Sequence, residues 1–193
     1  MGGLASRGWQ AEAEKAEETS WGSKLLGVSR FHARLQYIVA SYLKEKGYSV
    51  DVEHCVDGIH YADVYADNGK ETVIVEVETG YVPPIFIERA EEYLWARTIV
   101  KTIKYACLAS EFYIATPSYV KMAVPSILLE HTDSYDEVLS ASRLVGLYFG
   151  ERWAEETLKR VHECRLTGLM LVNISRREVK VLKNRELKAL TAL

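Results

Sequence analysis

The sequence predicts a single α/β domain with a mixed central sheet flanked by helices. Residues 29–117 read, in order, as a helix, three β-rich runs, a helix and a strand. The composition, 48% hydrophobic and 26% charged over 193 residues, is typical of one globular unit. The dipeptide Asn68-Gly69 lies between two β-rich runs, and it is a strong signal for a hairpin.

The first core helix is predicted from Ser29, a suitable N-cap, to Lys46, with Gly47 in the stop position. The later predicted elements are strands Tyr48–Glu53, Ile59–Ala66 and Thr72–Glu78, a helix Ile87–Ala106, a strand Glu111–Thr116, helical segments Tyr119–His131 and Tyr135–Cys164, and a hairpin of Gly168–Ile174 with Glu178–Leu182. Residues 1–28 are predicted as an N-terminal helical arm with few apolar anchors. Residues 29–193 then form one domain, with a core at 29–117 and C-terminal helical and β-hairpin additions at 118–193.

No apolar stretch reaches the roughly 18 residues that a membrane span needs, and the first residues lack the apolar region of a signal peptide. A soluble, cytoplasmic protein is therefore expected, in the host cytoplasm if the source is a virus. Cys55, Cys107 and Cys164 lie far apart without a zinc-ligand spacing, and they are predicted to be reduced, mostly buried thiols.

The net charge of −3 hides a basic C-terminal end. From Lys159 onward the chain carries nine Lys or Arg against three acids. Such a patch can hold a polyanion even on an acidic protein, and we expect Arg176, Arg177 and Lys180 to bind DNA phosphates. The alternative is an ordinary solvated surface.

The most informative segment is the hairpin around Asn68-Gly69. A short loop there predicts that Asp63 faces Ile74, which makes Asp63 and Glu76 diagonal neighbours about 7–8 Å apart on one face. Glu78 shares that face. Carboxylates this close can share a divalent cation, as metal-assisted phosphodiester cleavage requires. The alternative is a set of ion pairs between these glutamates and Arg89, Arg97 or Lys101 of the next helix.

The order of elements, Asp63, and the run Glu76-Val77-Glu78 together resemble the core of the PD-(D/E)xK (restriction-endonuclease-like) nuclease superfamily, including archaeal or archaeal-virus nucleases and Holliday-junction resolvases. The resemblance covers roughly Ser29 to Pro117. It implies an αβββαβ core and a Mg²⁺ or Mn²⁺ ion held by Asp63, Glu76 and the backbone carbonyl of Val77. It also implies that Glu78, at the third motif position, lies near the attacking water.

Two positions depart from the pattern of that superfamily. The third motif residue is usually Lys and is Glu78 here, although some restriction endonucleases use Glu. Resolvase-like members carry a Glu on the first helix where this chain has Gln36. His32, one turn earlier on the same face, could supplement Gln36, and the alternative is an ordinary partly buried histidine.

The sequence therefore favours a Mg²⁺- or Mn²⁺-dependent DNA endonuclease that uses Asp63, Glu76, Glu78, Gln36 and His32, with branched or structured DNA as one possible substrate. One alternative is a nucleic-acid-binding module that keeps the fold without turnover, and another is an assembly protein whose acidic hairpin is an ion-pair network. A homodimer is expected if the substrate is double-stranded, because cutting both strands of a duplex calls for two sites, and the apolar segment Tyr135–Cys164 is its expected interface.

Overall fold

The computed structural model describes Lys24 and residues 28–122 and 124–191. Its helices are α1 (Arg30–Glu45), α2 (Ala90–Tyr105), α3 (Tyr135–Phe149), α4 (Glu151–Arg160) and α5 (Asn184–Thr191), with short 3₁₀ turns at Pro84–Arg89, Ala106–Leu108 and Ser126–Leu128. Its strands are β1 (Ser49–Cys55), β2 (Tyr61–Asp67), β3 (Thr72–Val77), β4 (Glu111–Pro117), β5 (Gly168–Asn173) and β6 (Glu178–Lys183).

All six strands form one sheet in the order β1-β2-β3-β4-β5-β6. The pairs β1–β2, β2–β3 and β5–β6 are antiparallel, whereas β3–β4 and β4–β5 are parallel. Because β3, β4 and β5 run the same way, their carboxyl ends meet at one edge of the sheet. The mixed sheet flanked by helices confirms the predicted α/β class, and the C-terminal hairpin is confirmed as β5 and β6.

Each face of the sheet is covered by its own hydrophobic cluster. Helix α1 packs Leu35 and Val39 on the face that carries Val64 and Val75. On the opposite face α2 and α3 pack on a cluster that includes Ile74. Alternation along β3 therefore directs the even-numbered residues, including Glu76, toward the α2 side.

Helix α1 forms where the sequence predicts it. The Ser29 hydroxyl accepts a hydrogen bond from the His32 backbone N–H at 3.2 Å, which satisfies one of the free donors of the first turn. Gly47, at a φ of 90°, then ends the helix in a conformation that other residues adopt at a steric cost. Four buried apolar side chains at helical spacing fix the helix on the sheet: Leu35, Ile38, Val39 and Leu43.

Of the two helical segments predicted after the core, one is wrong and the other is confirmed with a break. The segment Tyr119–His131 contains only the 3₁₀ turn at Ser126–Leu128 among its described residues, because Pro125 cannot donate a backbone hydrogen bond in a helix interior. The predicted helix Tyr135–Cys164 is two helices, separated at Gly150 with a φ of 87°. The break lets α4 fold back on α3, where Ser142 Oγ donates to the Ala154 carbonyl at 2.9 Å.

The apolar residues expected to form a dimer interface on α3 and α4 are largely used inside the fold. Val138, Leu144, Tyr148 and Trp153 pack against the α2-side cluster. Leu147 remains 57% exposed. The homodimer stays a prediction. These helices expose less apolar surface for a dimer interface than the sequence suggests.

The prediction that all three cysteines are reduced is wrong. Cys107, just beyond α2, forms a disulfide with Cys164, which follows α4, with a sequence separation of 57 residues. Cys55 is the free thiol among the described cysteines. Neither position carries a sequence motif, and the pairing arises because α2 and the end of α4 pack on the same face of the sheet.

The predicted N-terminal arm, residues 1–28, lies outside the described residues except for Lys24 and Val28. Lys24 Nζ forms an ion pair with Asp51 of β1 at 2.6 Å. Across 28–122 and 124–191, none of the helices is long and apolar enough to cross a membrane.

Reducing the Cys107–Cys164 bond should destabilise the fold. Closing a loop of 57 residues restricts the unfolded chain and is worth about 4 kcal/mol in the chain-entropy account. We expect the Tm of the wild type to fall in the presence of reductant, as measured by circular dichroism. The variant Cys55→Ser keeps the bond and should respond as the wild type does. Equal melting curves with and without reductant, with both thiols alkylated after reduction, would contradict the expected stabilisation.

Candidate functional site

Three acidic residues lie in one row across three adjacent strands, near the ends of those strands. Val52 pairs with Val64 and His54 with Ala62, so Glu53 of β1 lies opposite Asp63 of β2. The β2–β3 ladder pairs Val64 with Val75, which places Glu76 next in line on the other side of Asp63. Glu53, Asp63 and Glu76, called the acid row below, thus occupy neighbouring positions on three strands.

The predicted register of this hairpin is wrong by two residues. The loop is the four-residue segment 68–71, and the first pair is Asp67 with Thr72. The Asn68 side chain explains the wider loop, because its Oδ1 accepts from the backbone N–H groups of Lys70 at 2.9 Å and Glu71 at 3.0 Å. A shift of two residues keeps every side chain on its face, and it brings Asp63 and Glu76 opposite each other instead of diagonal.

Where β2 and β3 separate, the carboxylates of Asp63 and Glu76 take the place of the backbone carbonyls as hydrogen-bond acceptors between the two strands. The backbone N–H of Asp63 donates to Glu76 Oε1 at 3.1 Å, and the N–H of Val77 donates to Asp63 Oδ2 at 2.6 Å. Each carboxylate therefore bonds to the opposite strand. These two bonds satisfy backbone donors that would otherwise lack a partner in the opened sheet.

Helix α1 supplies two polar side chains to the acid row. A hydrogen bond of 3.1 Å joins His32 Nε2 to Asp63 Oδ1, with the ring as donor because an ionised carboxylate only accepts. Gln36 Nε2 donates to Glu53 Oε1 at 2.6 Å and to the Asp63 carbonyl at 3.2 Å. Gln36 is fully buried, and its Oε1 has no hydrogen-bond partner within the described part of the chain.

Helix α2 supplies two cations from the other face. Lys101 Nζ donates to the Val77 carbonyl at 2.8 Å and lies 3.3 Å from Glu76 Oε2. Arg97 Nε lies 2.9 Å from Glu78 Oε2, and Lys101 is 3.9 Å from the same oxygen. The two cations are four residues apart on one stripe of α2, so both face the strand end.

The surroundings shift the pKa values of the two central acids, Asp63 and Glu76, in opposite directions. Burial raises the pKa of Asp63, but the hydrogen bond from His32 and the charge of Lys101 outweigh it, and the pKa lies below its ordinary value. Burial and the neighbouring Asp63 carboxylate raise the pKa of Glu76 to about 7 despite the opposing charge of Lys101. Asp63 is therefore the carboxylate that stays ionised, and Glu76 is the one that titrates near neutral pH.

One group in the site could hold a metal ion. Ligand atoms of His32, Glu53 and Asp63 all lie within 4.8 Å of one another. Carboxylate oxygens suit hard cations such as Mg²⁺ and Mn²⁺, and a histidine nitrogen suits Mn²⁺ better than Mg²⁺. Gln36, whose Oε1 has no hydrogen-bond partner among the described residues, contacts two members of this group through its Nε2. The donor set therefore fits a hard divalent ion on the α1 side of Asp63.

The structure brings five of the predicted site residues together and leaves the basic ones apart. Asp63, Glu76, Glu78, Gln36 and His32 are all joined through the contacts above, and Val77 contributes its carbonyl to Lys101. Arg176 and Arg177 lie in the β5–β6 turn, at the same edge of the sheet, and all three basic residues are exposed. Lys180 shares a register row with Glu78 three strands away, about 14 Å at the usual strand spacing.

The sequence analysis missed Glu53 as a site residue and considered Lys101 and Arg97 only as structural partners. Glu53 has a left-handed φ of 48°, which period-two alternation does not reveal. Arg97, Lys101 and Tyr105, spaced by four on α2, form a polar stripe on a helix that otherwise buries apolar residues toward the sheet. That spacing was a signal that the helix faces a polar site.

Replacing Glu76 should stabilise the metal-free protein at alkaline pH. A carboxyl whose pKa is raised from 4.5 to about 7 on folding binds its proton more tightly in the native state, so stability is lost as the pH rises through that range. In EDTA, Glu76→Gln should melt at a higher temperature than the wild type at pH 8 and at a similar one at pH 5. The difference is at most about 3 kcal/mol. A matched change of an exposed residue, Glu88→Gln, should leave the pH profile unchanged, and a Glu76→Gln profile parallel to the wild type would contradict the expectation.

Comparisons with known proteins do not assign this chain to a family. A scan against protein-family models, a search of curated proteins and a search of solved structures gave no match. The chemistry of the acid row and of its two flanking helices is therefore the basis for a functional conclusion.

Proposed function

We propose that this protein is a metal-dependent endonuclease that hydrolyses phosphodiester bonds in DNA. The observation that carries the proposal is the acid row, in which Glu53, Asp63 and Glu76 concentrate carboxylates at the ends of three adjacent strands. Such a concentration of negative charge is unfavourable unless cations share it. The resemblance to the PD-(D/E)xK superfamily accounts for Asp63, for Glu76 and for the order of the elements around them.

A Mg²⁺ or Mn²⁺ ion could use Asp63 in either of two positions. One position adds Glu76 and the Val77 carbonyl, where Lys101 now donates, and the other adds His32 and Glu53. When bound, the ion would polarise the scissile phosphate and lower the pKa of the attacking water. The lowered pKa of Asp63 suits a ligand that must remain ionised at either position.

Lys101 supplies a fixed positive charge beside the acids. The common form of the family motif places a lysine where this chain has Glu78. Here the ammonium comes from α2 and lies close to Glu76 and the Val77 carbonyl. In the proposed site Lys101 stabilises negative charge that develops on the phosphate. Glu78 then holds Lys101 and Arg97 in place through its two ion pairs.

The α1 residues orient the central carboxylate. His32, whose ring is partly exposed, fixes Asp63 Oδ1 by a hydrogen bond. Gln36 holds Glu53 and the Asp63 backbone together. A neutral amide at this position binds water without adding charge to an already acidic site.

The alternative is a DNA-binding module without turnover. It is favoured by the ion pairs themselves, because Lys101 and Arg97 already compensate Glu76 and Glu78 without a metal. The two proposals share the fold and differ in whether the acid row binds a divalent ion and whether DNA is cut.

Loss of the central acid should abolish cleavage while preserving the fold. We expect Asp63→Asn to reduce single-turnover cleavage of branched and linear DNA by roughly 100-fold or more in Mg²⁺ or Mn²⁺. Lys101→Met should reduce cleavage by a similar factor and leave metal binding intact. Mn²⁺ affinity, measured by calorimetry, should fall for Asp63→Asn, and for Glu53→Gln if the ion uses the His32 side.

The control for this series is Asp133→Asn, whose side chain is 94% exposed and pairs with His131 before the start of α3. Normal cleavage by Asp63→Asn would refute the catalytic assignment. DNA binding by the wild type without cleavage in either metal would favour the binding module.

Neutralising the basic turn should weaken DNA binding through lost phosphate contacts. The triple variant Arg176→Ala, Arg177→Ala, Lys180→Ala should bind duplex DNA more weakly, and its log–log salt slope should shrink by roughly 0.9 per lost contact. A matched triple variant on α3 and α4, with Arg143, Arg152 and Lys159 changed to Ala, removes the same charge from other exposed positions. An equal effect of the two triple variants would indicate a general charge effect instead of a binding surface.

A further inference from the structure

Exposed aromatic side chains lie close in the chain to site residues on three separate elements. Phe31 lies in the first turn of α1, Tyr61 is the first residue of β2 and Tyr81 is in the loop after β3. Their exposed fractions are 39%, 58% and 61%. Each is close in the chain to a site residue: Phe31 precedes His32, Tyr61 is two residues before Asp63, and Tyr81 is three residues after Glu78.

Two of these aromatic residues are held by the same stripe of α2 that faces the acids. The Tyr105 hydroxyl donates to the Tyr61 carbonyl at 2.6 Å, and Arg97 Nη1 donates to the Tyr81 carbonyl at 3.3 Å. Phe31 is fixed by the capped first turn of α1. The backbones that carry the three rings are therefore anchored relative to the acid row, and the rings are not carried by free loops.

Two cations lie beside Phe31. Arg30 and Arg34 are exposed and four residues apart on α1, which makes them neighbours on the helix surface. Neither forms an ion pair with any residue in 28–122 or 124–191. They lie on the face of α1 that points away from His32 and Gln36, where their charges can meet the phosphates of a strand that passes over the helix.

The acids themselves are largely shielded from solvent. Glu76 and Glu78 are 5% and 3% exposed, and the Asp63 side chain is 15% exposed. In a duplex the bases are stacked on one another inside the helix, so their faces are not available to aromatic side chains of a protein. An unpaired strand is flexible and offers the faces of its bases to aromatic rings.

We propose that the site takes its DNA as an unpaired strand. The rings of Phe31, Tyr61 and Tyr81 stack on bases, and Arg30 and Arg34 bind the backbone that runs past α1. The inference rests on the proposed function for the reaction, and it specifies the substrate form: a single-stranded end, flap or gap, and not an intact duplex.

The test compares a fluorescein-labelled single-stranded oligonucleotide with a hairpin duplex of the same sequence, by anisotropy, in EDTA and in Ca²⁺. The single strand should bind the wild type at least tenfold more tightly. Each of Phe31→Ala, Tyr61→Ala and Tyr81→Ala should weaken single-strand binding by about 5- to 100-fold, with little effect on the duplex. Phe31→Trp should preserve binding, and Arg34→Ala should lower the salt slope by roughly 0.7.

The control variant is Tyr135→Ala, whose side chain is 69% exposed at the start of α3 and should have no effect. Melting curves check that every variant is folded. A duplex that binds as tightly as the single strand, or a triple aromatic variant with unchanged single-strand affinity, overturns the inference. Cleavage of duplex at full rate by that triple variant overturns it while leaving the proposed nuclease intact. Tight, ring-dependent binding of the single strand without cleavage supports the inference about the substrate and contradicts the proposed nuclease activity.

Discussion

The constraint on which the site depends is the repulsion between carboxylates held at the ends of neighbouring strands. Asp63 and Glu76 are both largely buried, and each accepts a backbone N–H from the opposite strand. Those bonds fix the carboxylates in position, but they do not remove like charge at short range. The positive charge comes from α2, whose Lys101 bonds to the same strand end. The position of α2 on the sheet and the protonation of Glu76 are therefore two responses to one electrostatic problem.

Much of the fold could be predicted from the sequence because its signals are local. Ser29 and Gly47 mark the ends of the first helix, and the β-branched run Thr72–Val77 marks a buried strand. The errors arise where a side chain or a contact between distant parts of the chain determines the loop length, the strand register or the cysteine pairing. The Asn68 side chain widens the hairpin loop and shifts the register by two residues. The Cys107–Cys164 pairing depends on tertiary packing that no spacing reveals.

The site could be predicted in part, for the same reason. Asp63 and Glu76 follow from the face of a strand, which survives the register error because side chains alternate with a period of two. Glu53 could not be found this way, since its left-handed backbone breaks the alternation of β1. The pairing of Glu78 with Arg97 and Lys101 is the ion-pair alternative that the sequence left open, and it coexists here with an acid row that those cations do not fully neutralise.

The disulfide also restricts the movement of α2, the helix that carries Lys101 into the site. Cys107 lies six residues beyond Lys101, about 9 Å along the helix direction at the usual rise per residue, and it is tied covalently to Cys164 near the start of β5. A helix anchored at that end cannot slide along its axis without moving the sheet that it covers. The height of the Lys101 ammonium above the acids is thus fixed by a covalent bond outside the site. Thermal agitation that loosens side-chain packing would leave this alignment of opposite charges in place.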